Sequence, residues 1–429
     1  MNPSTLRVAV VGGGWAGLAA AVRATLDGHH VTVFEASRHW GGRARTVHVD
    51  TPQGPLALDN GQHILIGAYT RTLDLMRQVG ADPDTLLLRL PLTLLNPQGE
   101  GLKLPAWPAP LDMLAGVLGA RGWRLSDKLA LLATAARWRW QGFDCQASAT
   151  VAQLCHGLPE RLMRGFIDPL CVSALNTPAT DASGQVFLRV LKDALFAGTG
   201  GSNLLLPRVP LGELWPEPAA QWLAERGGQL HLGQRITEVT RQGNHWCLHG
   251  QVFDRVIWSN STKKTALALY LKAQAAINLE ATNAPPWRHE AIATVYAQGP
   301  ADRTRLAQPM LSLADSPQHP AQFVFDRGQL GGPAGLLAFV VSAAHGSATD
   351  VQARVVQQAQ AQLGLTVHPV RTFVEKHATF ACTPALARPP MRLAPGLLLA
   401  GDDVAGPYPA TLEGAMRSGW DAAAALVTP

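Results

Sequence analysis

A chain of 429 residues with 47% hydrophobic content has room for two domains or one large composite and can bury a sizeable core. The net charge of +5 and pI near 9.1 come from scattered rather than clustered basic residues, which argues against a nucleic-acid partner but is compatible with attraction to an anionic membrane surface. The five cysteines, Cys145, Cys155, Cys171, Cys247 and Cys382, include no C-x-x-C pair and read as reduced thiols, so neither a disulfide framework nor a metal site is expected.

The first element is a short β-branched run, Val8 to Val11, which reads as a buried parallel strand. Gly12-Gly13-Gly14-Trp15-Ala16-Gly17 follows and supplies G-x-G-x-x-G where a strand gives way to a helix. Gly12 suits the tight turn, Gly14 lets the backbone approach a pyrophosphate, and Gly17 lets the helix pack on the strand. The helix start beside Ala16 offers N–H groups to phosphate. Leu18 to Leu26 continues as helix, Val31 to Phe34 is a second strand, and Glu35 at its end is placed to accept hydrogen bonds from a ribose.

That fingerprint alone does not separate NAD from FAD. Gly41-Gly42-Arg43, six residues past Glu35, suits a second loop wrapping the pyrophosphate of a cofactor held along its length. Near the C-terminus an apolar strand, Leu397 to Leu399, runs into Gly401-Asp402, and a proline-led helix is expected across Pro407 to Ala415. Its positive end suits the N1/O2 edge of a reduced flavin, and Asp402 suits the ribityl or phosphate region. Together these pieces resemble the flavin-containing amine oxidase and phytoene desaturase superfamily, which implies FAD as cofactor. The resemblance implies that Asn60, Gly61, Gln62 and His63 face the flavin or substrate. It also implies that Ile236 meets adenine and that Gly401, Thr411 and Leu412 lie along the cofactor.

Between these motifs a helix is expected from Thr70 to Val79. From Leu86 the chain turns leucine-rich, and Leu104 to Ala120 is apolar and proline-punctuated. Trp107, Trp123, Trp138 and Trp140 lie among basic residues at 121, 124, 128, 137 and 139. Two readings fit: the core of a helical substrate domain, or a helix lying in a membrane interface. Residues 126 to 200 read as mostly helical, broken at Asp168-Pro169 and at Asn176-Thr177-Pro178. Residues 227 to 239 read as a turn and strand, Val252 to Ser259 as a further strand, and Ala291 to Tyr296 and Leu336 to Ser342 as strands of a second region.

The fold class expected is α/β. A Rossmann-like FAD-binding domain would be assembled from discontinuous segments, 1–85, 204–264 and 379–429. An α+β substrate domain with a largely helical, apolar part would take 86–203 and 265–378. The N-terminal apolar run lacks a cleavage site, and no apolar stretch reaches the roughly 18 residues a membrane span needs. A cytoplasmic location is therefore expected, with peripheral contact at the inner face of the membrane.

The stretches LDNGQHILIGAY (58–69), SNLLLPRVPLGELWPEPAAQWL (202–223) and GDDVAGPYPATLEGAMRSG (401–419) resemble a narrower branch, the squalene-associated hydroxysqualene dehydroxylases of bacterial hopanoid synthesis. That resemblance implies a long-chain isoprenoid substrate and reductive removal of an allylic hydroxyl by hydride from reduced flavin. Asp59, His63 and Asp168 are the candidate acids. A carotenoid-type polyprenyl desaturase is the near alternative. A flavin amine oxidase is the more distant one, since such enzymes often hold the amine with aromatic residues and this chain has 4 tyrosines and 6% aromatic content.

Overall fold

The computed structural model describes residues 5–52, 54–196, 198–260 and 287–427. The proposed resumption of a substrate domain at 265 lies outside the described residues.

Strand β1 (Arg7–Val11), helix α1 (Trp15–Leu26) and strand β2 (His30–Phe34) form the first βαβ unit, the helix starting three residues earlier than the sequence suggests. β1 is at the centre of a six-stranded sheet, flanked by β2 and Arg255–Trp258. Gln229–His231 extends the sheet beyond β2, and Leu397–Leu399 then Arg392–Ala394 extend it beyond Arg255–Trp258. All pairings are parallel except the last. Because the outer face of α1 is also covered, by the C-terminal helix Leu412–Ala424, α1 is apolar almost all round and reads as alanine-rich rather than amphipathic.

Two strand readings need correction. The strand expected through 239 ends at His231: Gly233 takes φ +72°, and the N–H groups of Gly233 and Gln234 donate to the Ser37 and Glu35 carbonyls, which steers the chain across the loop after β2. Ile236 therefore sits in irregular chain. Val252 to Ser259 is not one strand but two, split at Asp254. Gln251–Phe253 closes a three-stranded antiparallel sheet with Thr240–Gln242 and His245–Leu248, whereas Arg255–Trp258 joins the parallel sheet. The carboxylate of Asp254 accepts the Arg7 N–H at 2.7 Å and pins the break to the start of β1.

The second large sheet is antiparallel, in the order Met310–Ser312, Phe323–Asp326, Leu336–Ser342, His289–Gln298, His368–Phe380. Helix Ala348–Leu363 packs Val351, Val355 and Ala359 on one face. The other face, with Tyr296, Phe323, Phe325 and Val340, looks toward the cofactor sheet. A small antiparallel sheet, Leu65–Ile66, Leu204–Pro207 and Leu87–Leu90, bridges the two.

Beyond two strand pairs, Thr46–Thr51 with Gly54–Asp59 and Thr93–Leu95 with Gly101–Lys103, the remaining elements are chiefly helices, principally Leu111–Gly119, Leu125–Trp140, Asp168–Leu175 and Gly184–Phe196, around their own core of Val117, Leu131, Phe166 and Phe187. Asp168-Pro169 is not a break. A π-helical turn at Met163–Ile167 leads straight into Asp168–Leu175, so the backbone stays helical through Pro169, and the change from π to α beside it accommodates the residue that cannot donate an N–H. Asn176, in the left-handed region at φ 45°, does end the helix. The prolines at 407 and 409 do not lead the C-terminal helix as expected, since they lie in irregular chain ahead of it and the helix begins at Leu412. Its cap is Thr411, whose hydroxyl accepts the Gly414 N–H at 2.9 Å.

Candidate functional site

The fingerprint glycines do distinct work. Gly12 has φ +111°, and a Cβ on Gly17 would stand 1.9 Å from the Gly12 carbonyl oxygen, so α1 can pack on the turn only through glycine. Gly14 is different: the nearest atoms to a Cβ there are backbone of Gly41 and Gly42, 3.8 Å or more away. The Gly41 N–H donates to the Gly13 carbonyl at 2.9 Å, so two glycine loops face each other across a slot open at Gly14. This slot, at the N-terminus of α1, is a cradle of the width and polarity a pyrophosphate needs.

The slot belongs to a cavity of about 600 Å³. Gly12, Gly14, Ala16, Glu35, Gly41, Gly42, Arg43, Asn60, Gly61, Ile236, Gly401, Asp402, Thr411 and Leu412 all line it, as do Gln62 and His63. Gly17 stands behind it. Glu35 accepts the Gly13 N–H at 2.6 Å on one oxygen and the Ser37 N–H at 2.7 Å on the other, which fixes the carboxylate and leaves each oxygen a further lone pair for a ribose hydroxyl. Asn60 takes the Arg45 N–H at 3.0 Å and donates to the Arg43 carbonyl at 2.8 Å, holding the GGR loop in place.

Arg43, on the loop read from sequence as wrapping the pyrophosphate, lines the cavity and also joins two loops. Its guanidinium pairs with the Asp402 carboxylate and donates to the Ala378 carbonyl at 3.0 Å, tying the N-terminal glycine loop to the C-terminal Gly-Asp turn. The Asp402 charge raises the Arg43 pKa further. Asp403 behind it is pushed up to about 6 by burial and by the Asp402 charge.

The three candidate acids are not brought together. Asp59 lines neither cavity: its carboxylate accepts the Leu211 N–H at 2.8 Å, and burial pushes its pKa up to about 6. Asp168 also lines neither, and burial with the nearby Asp315 raises its pKa. His63 does face the cofactor cavity. Its Nδ1 lies 2.6 Å from the Gly61 carbonyl, which can only accept, so Nδ1 carries the hydrogen, and burial lowers the ring's basicity.

A second cavity, of about 400 Å³, adjoins the first and is walled almost entirely by apolar side chains such as Leu94, Leu131, Phe166, Ile167 and Leu195. Ile64, Tyr69, Ser173, Ala174, Phe323 and Thr411 line both cavities. Sequence reasoning missed most of this wall, including Ser173, Leu195 and Phe323. Apolar residues in strands and helices carry no local mark separating a cavity lining from a core. Among the described residues, no cluster of His, Cys, Asp or Glu could hold a metal ion.

A dinucleotide slot at the carboxyl ends of a parallel sheet, opening into an apolar chamber, is the arrangement of a flavoprotein oxidoreductase. Residues 15–427 match the flavin containing amine oxidoreductase family, and the chain belongs to it, with FAD as its cofactor. It is 28% identical to a hydroxysqualene dehydroxylase of Rhodopseudomonas palustris and 24% identical to one of Sinorhizobium fredii, each alignment covering 96% of both chains. The crystal structure of an oxidoreductase from Methanosarcina mazei has the same fold, with a TM-score of 0.71 at 16% identity over 97% of this chain and 99% of that one.

Proposed function

We propose that the chain reduces hydroxysqualene to squalene. The observation that carries this reading is the junction of the two cavities, an apolar chamber of about 400 Å³ that shares six lining residues with the FAD site. The full-length likeness to two hydroxysqualene dehydroxylases supports the same substrate. Gly12, Gly14, Ala16, Gly41 and Gly42 are assigned to the pyrophosphate, Glu35 to the ribose and Ile236 to adenine. Asn60, Gly61, Gly401, Asp402, Thr411 and Leu412 are assigned to the ribityl chain and ring, with Arg43 joining the loops around them.

When bound and reduced, FAD supplies the hydride. The chain's own residues supply a dry, oriented pocket, since water would recapture an allylic cation formed as the protonated hydroxyl leaves as water. Phe323, Ala174 and Ile64 at the junction serve that exclusion. The N-terminus of the helix Leu412–Ala424, where Thr411 and Leu412 line the cofactor cavity, would offer positive dipole to the ring.

The same reading extends to a bilayer as the source of the substrate. Trp107, Leu111, Leu114, Leu118, Leu125, Leu129 and Trp140 are exposed, Trp140 by 88%, and Leu111 and Leu114 also line the apolar cavity. Exposed Arg121, Arg124, Arg137 and Arg139 fringe them. Trp123 and Trp138 serve the core instead, packing edge-on against Phe166 and Phe187. No described helix is long and apolar enough to cross a membrane, so the proposed contact is peripheral.

The test is anaerobic: reduced holoenzyme is mixed with hydroxysqualene and flavin absorbance is followed. Reoxidation with formation of squalene is expected. Oxygen-dependent peroxide release with simple amines, and no reaction with the alcohol, would overturn the reading.

A further inference from the structure

Of the six residues that line both cavities, Ile64, Ala174 and Phe323 are apolar. The polar three differ in what their hydroxyl hydrogens do. Ser173 donates to the Leu170 carbonyl at 2.9 Å, and Thr411 donates to the Tyr408 carbonyl at 2.9 Å. Each hydroxyl has one hydrogen, so both donors are spent on backbone. Tyr408, lining the apolar cavity beyond, donates to Asp193 at 2.8 Å and is spent as well.

Tyr69 is the exception. Its phenol hydroxyl makes no hydrogen bond to any described residue, while its main chain is held firmly. The Tyr69 N–H donates to the Ile66 carbonyl at 2.9 Å, and its own carbonyl accepts the Leu73 N–H at 3.0 Å as the cap of the helix Thr70–Gln78. Burial and the Glu413 carboxylate keep the phenol protonated. The Glu413 oxygens themselves are taken by the N–H groups of Arg71 and Thr72, the Thr72 hydroxyl and Arg417, so they do not compete for the phenol hydrogen.

We propose that Tyr69 is the hydrogen-bond donor that recognises the substrate's hydroxyl at the mouth of the FAD site, so that the enzyme selects the allylic alcohol over the hydrocarbon it becomes. The proposal rests on the dehydroxylase reading above. In an apolar chamber an alcohol oxygen without a partner is penalised, and so is a phenol left unpaired by a hydrocarbon. Both penalties disappear only when alcohol and phenol meet. Loss of the hydroxyl in the reaction removes the acceptor, which favours release of the product over rebinding.

The test is equilibrium binding of hydroxysqualene and of squalene to the oxidised holoenzyme, which lacks a hydride to give, read through the flavin absorbance. Wild type is expected to bind the alcohol about tenfold more tightly than the hydrocarbon, the scale of one buried hydrogen bond. Tyr69→Phe should lose most of that preference, binding the alcohol more weakly and squalene at least as tightly as wild type while keeping its FAD content, whereas Tyr408→Phe should keep the preference. A Tyr69→Phe enzyme that still prefers the alcohol overturns the proposal. A second probe is independent of the variant: the methyl ether of hydroxysqualene retains the acceptor and should outcompete squalene on wild type. An ether that binds no better than squalene also overturns it. Turnover of hydroxysqualene, measured separately, reports on the dehydroxylase reading itself.

Discussion

Glu35 is held by two backbone N–H groups before any ribose arrives, so removing its carboxylate loosens both the loop and the cofactor. Glu35→Ala should lose FAD on extensive dialysis, and a variant that stays stoichiometric would contradict the ribose assignment. Asp59 differs in place, being buried outside both cavities with the Leu211 N–H on its carboxylate. A carboxyl whose folded pKa stands near 6, above its unfolded value, adds stability at low pH and loses it as pH rises through roughly 4 to 6. Wild type should therefore lose stability relative to Asp59→Asn between those limits, by at most about 3 kcal/mol. Denaturant unfolding at several pH values checks this, and a difference that is flat with pH would contradict it. The fingerprint glycines were legible in the sequence because glycine there answers to backbone geometry within a few residues. The choice among Asp59, His63 and Asp168 was not, since it depends on partners such as Leu211, 152 residues from Asp59.

Among elements, the pairing of α1 with the C-terminal helix joins the two ends of the chain around the cofactor slot. A Cβ on Gly419 would stand 2.0 Å from the Ala16 carbonyl oxygen, so Gly419→Ala must push the helices apart. A loss of about 1–3 kcal/mol is expected, with weaker FAD retention, since Ala16 and Leu412 both line the site. Thermal unfolding with and without added FAD measures both. An unchanged midpoint would mean the contact is not close. The helices Leu111–Gly119 and Leu125–Trp140 make the opposite case, with apolar side chains turned outward. Trp107→Asp and Leu114→Asp should reduce flotation with anionic liposomes without changing FAD content, and equal flotation would remove this surface from consideration. The sequence marked these residues as apolar and aromatic but could not divide Trp107 and Trp140 from Trp123 and Trp138. That division is made by Phe166 and Phe187, which reach Trp123 and Trp138 from other helices. Strand ends at Gly233 and Asp254 were hidden for the same reason, being set by hydrogen bonds to the loop after β2 and to the start of β1.

At the scale of the whole molecule, three separated stretches complete one parallel sheet, and the facing antiparallel sheet and helices close the cofactor cavity and extend it into an apolar chamber. The first and last stretches of the cofactor half were legible because each carries its own glycine motif, whereas the middle one lacks such a mark and its strands were misread at Gly233 and Asp254. The chamber was legible only as apolar composition, since its walls come from residues between 64 and 413 that meet through the fold alone. The central claim is that hydride passes from reduced flavin to the carbon skeleton where the two cavities join. It is tested most directly by a single anaerobic turnover of hydroxysqualene in ordinary water by enzyme whose reduced flavin carries deuterium at N5, mixed and quenched faster than N5 exchanges with solvent, followed by mass analysis of the product. Squalene carrying one deuterium per reduced flavin consumed is the result predicted. Unlabelled squalene, or no squalene while the oxidised enzyme desaturates a polyprenyl hydrocarbon, would contradict the account.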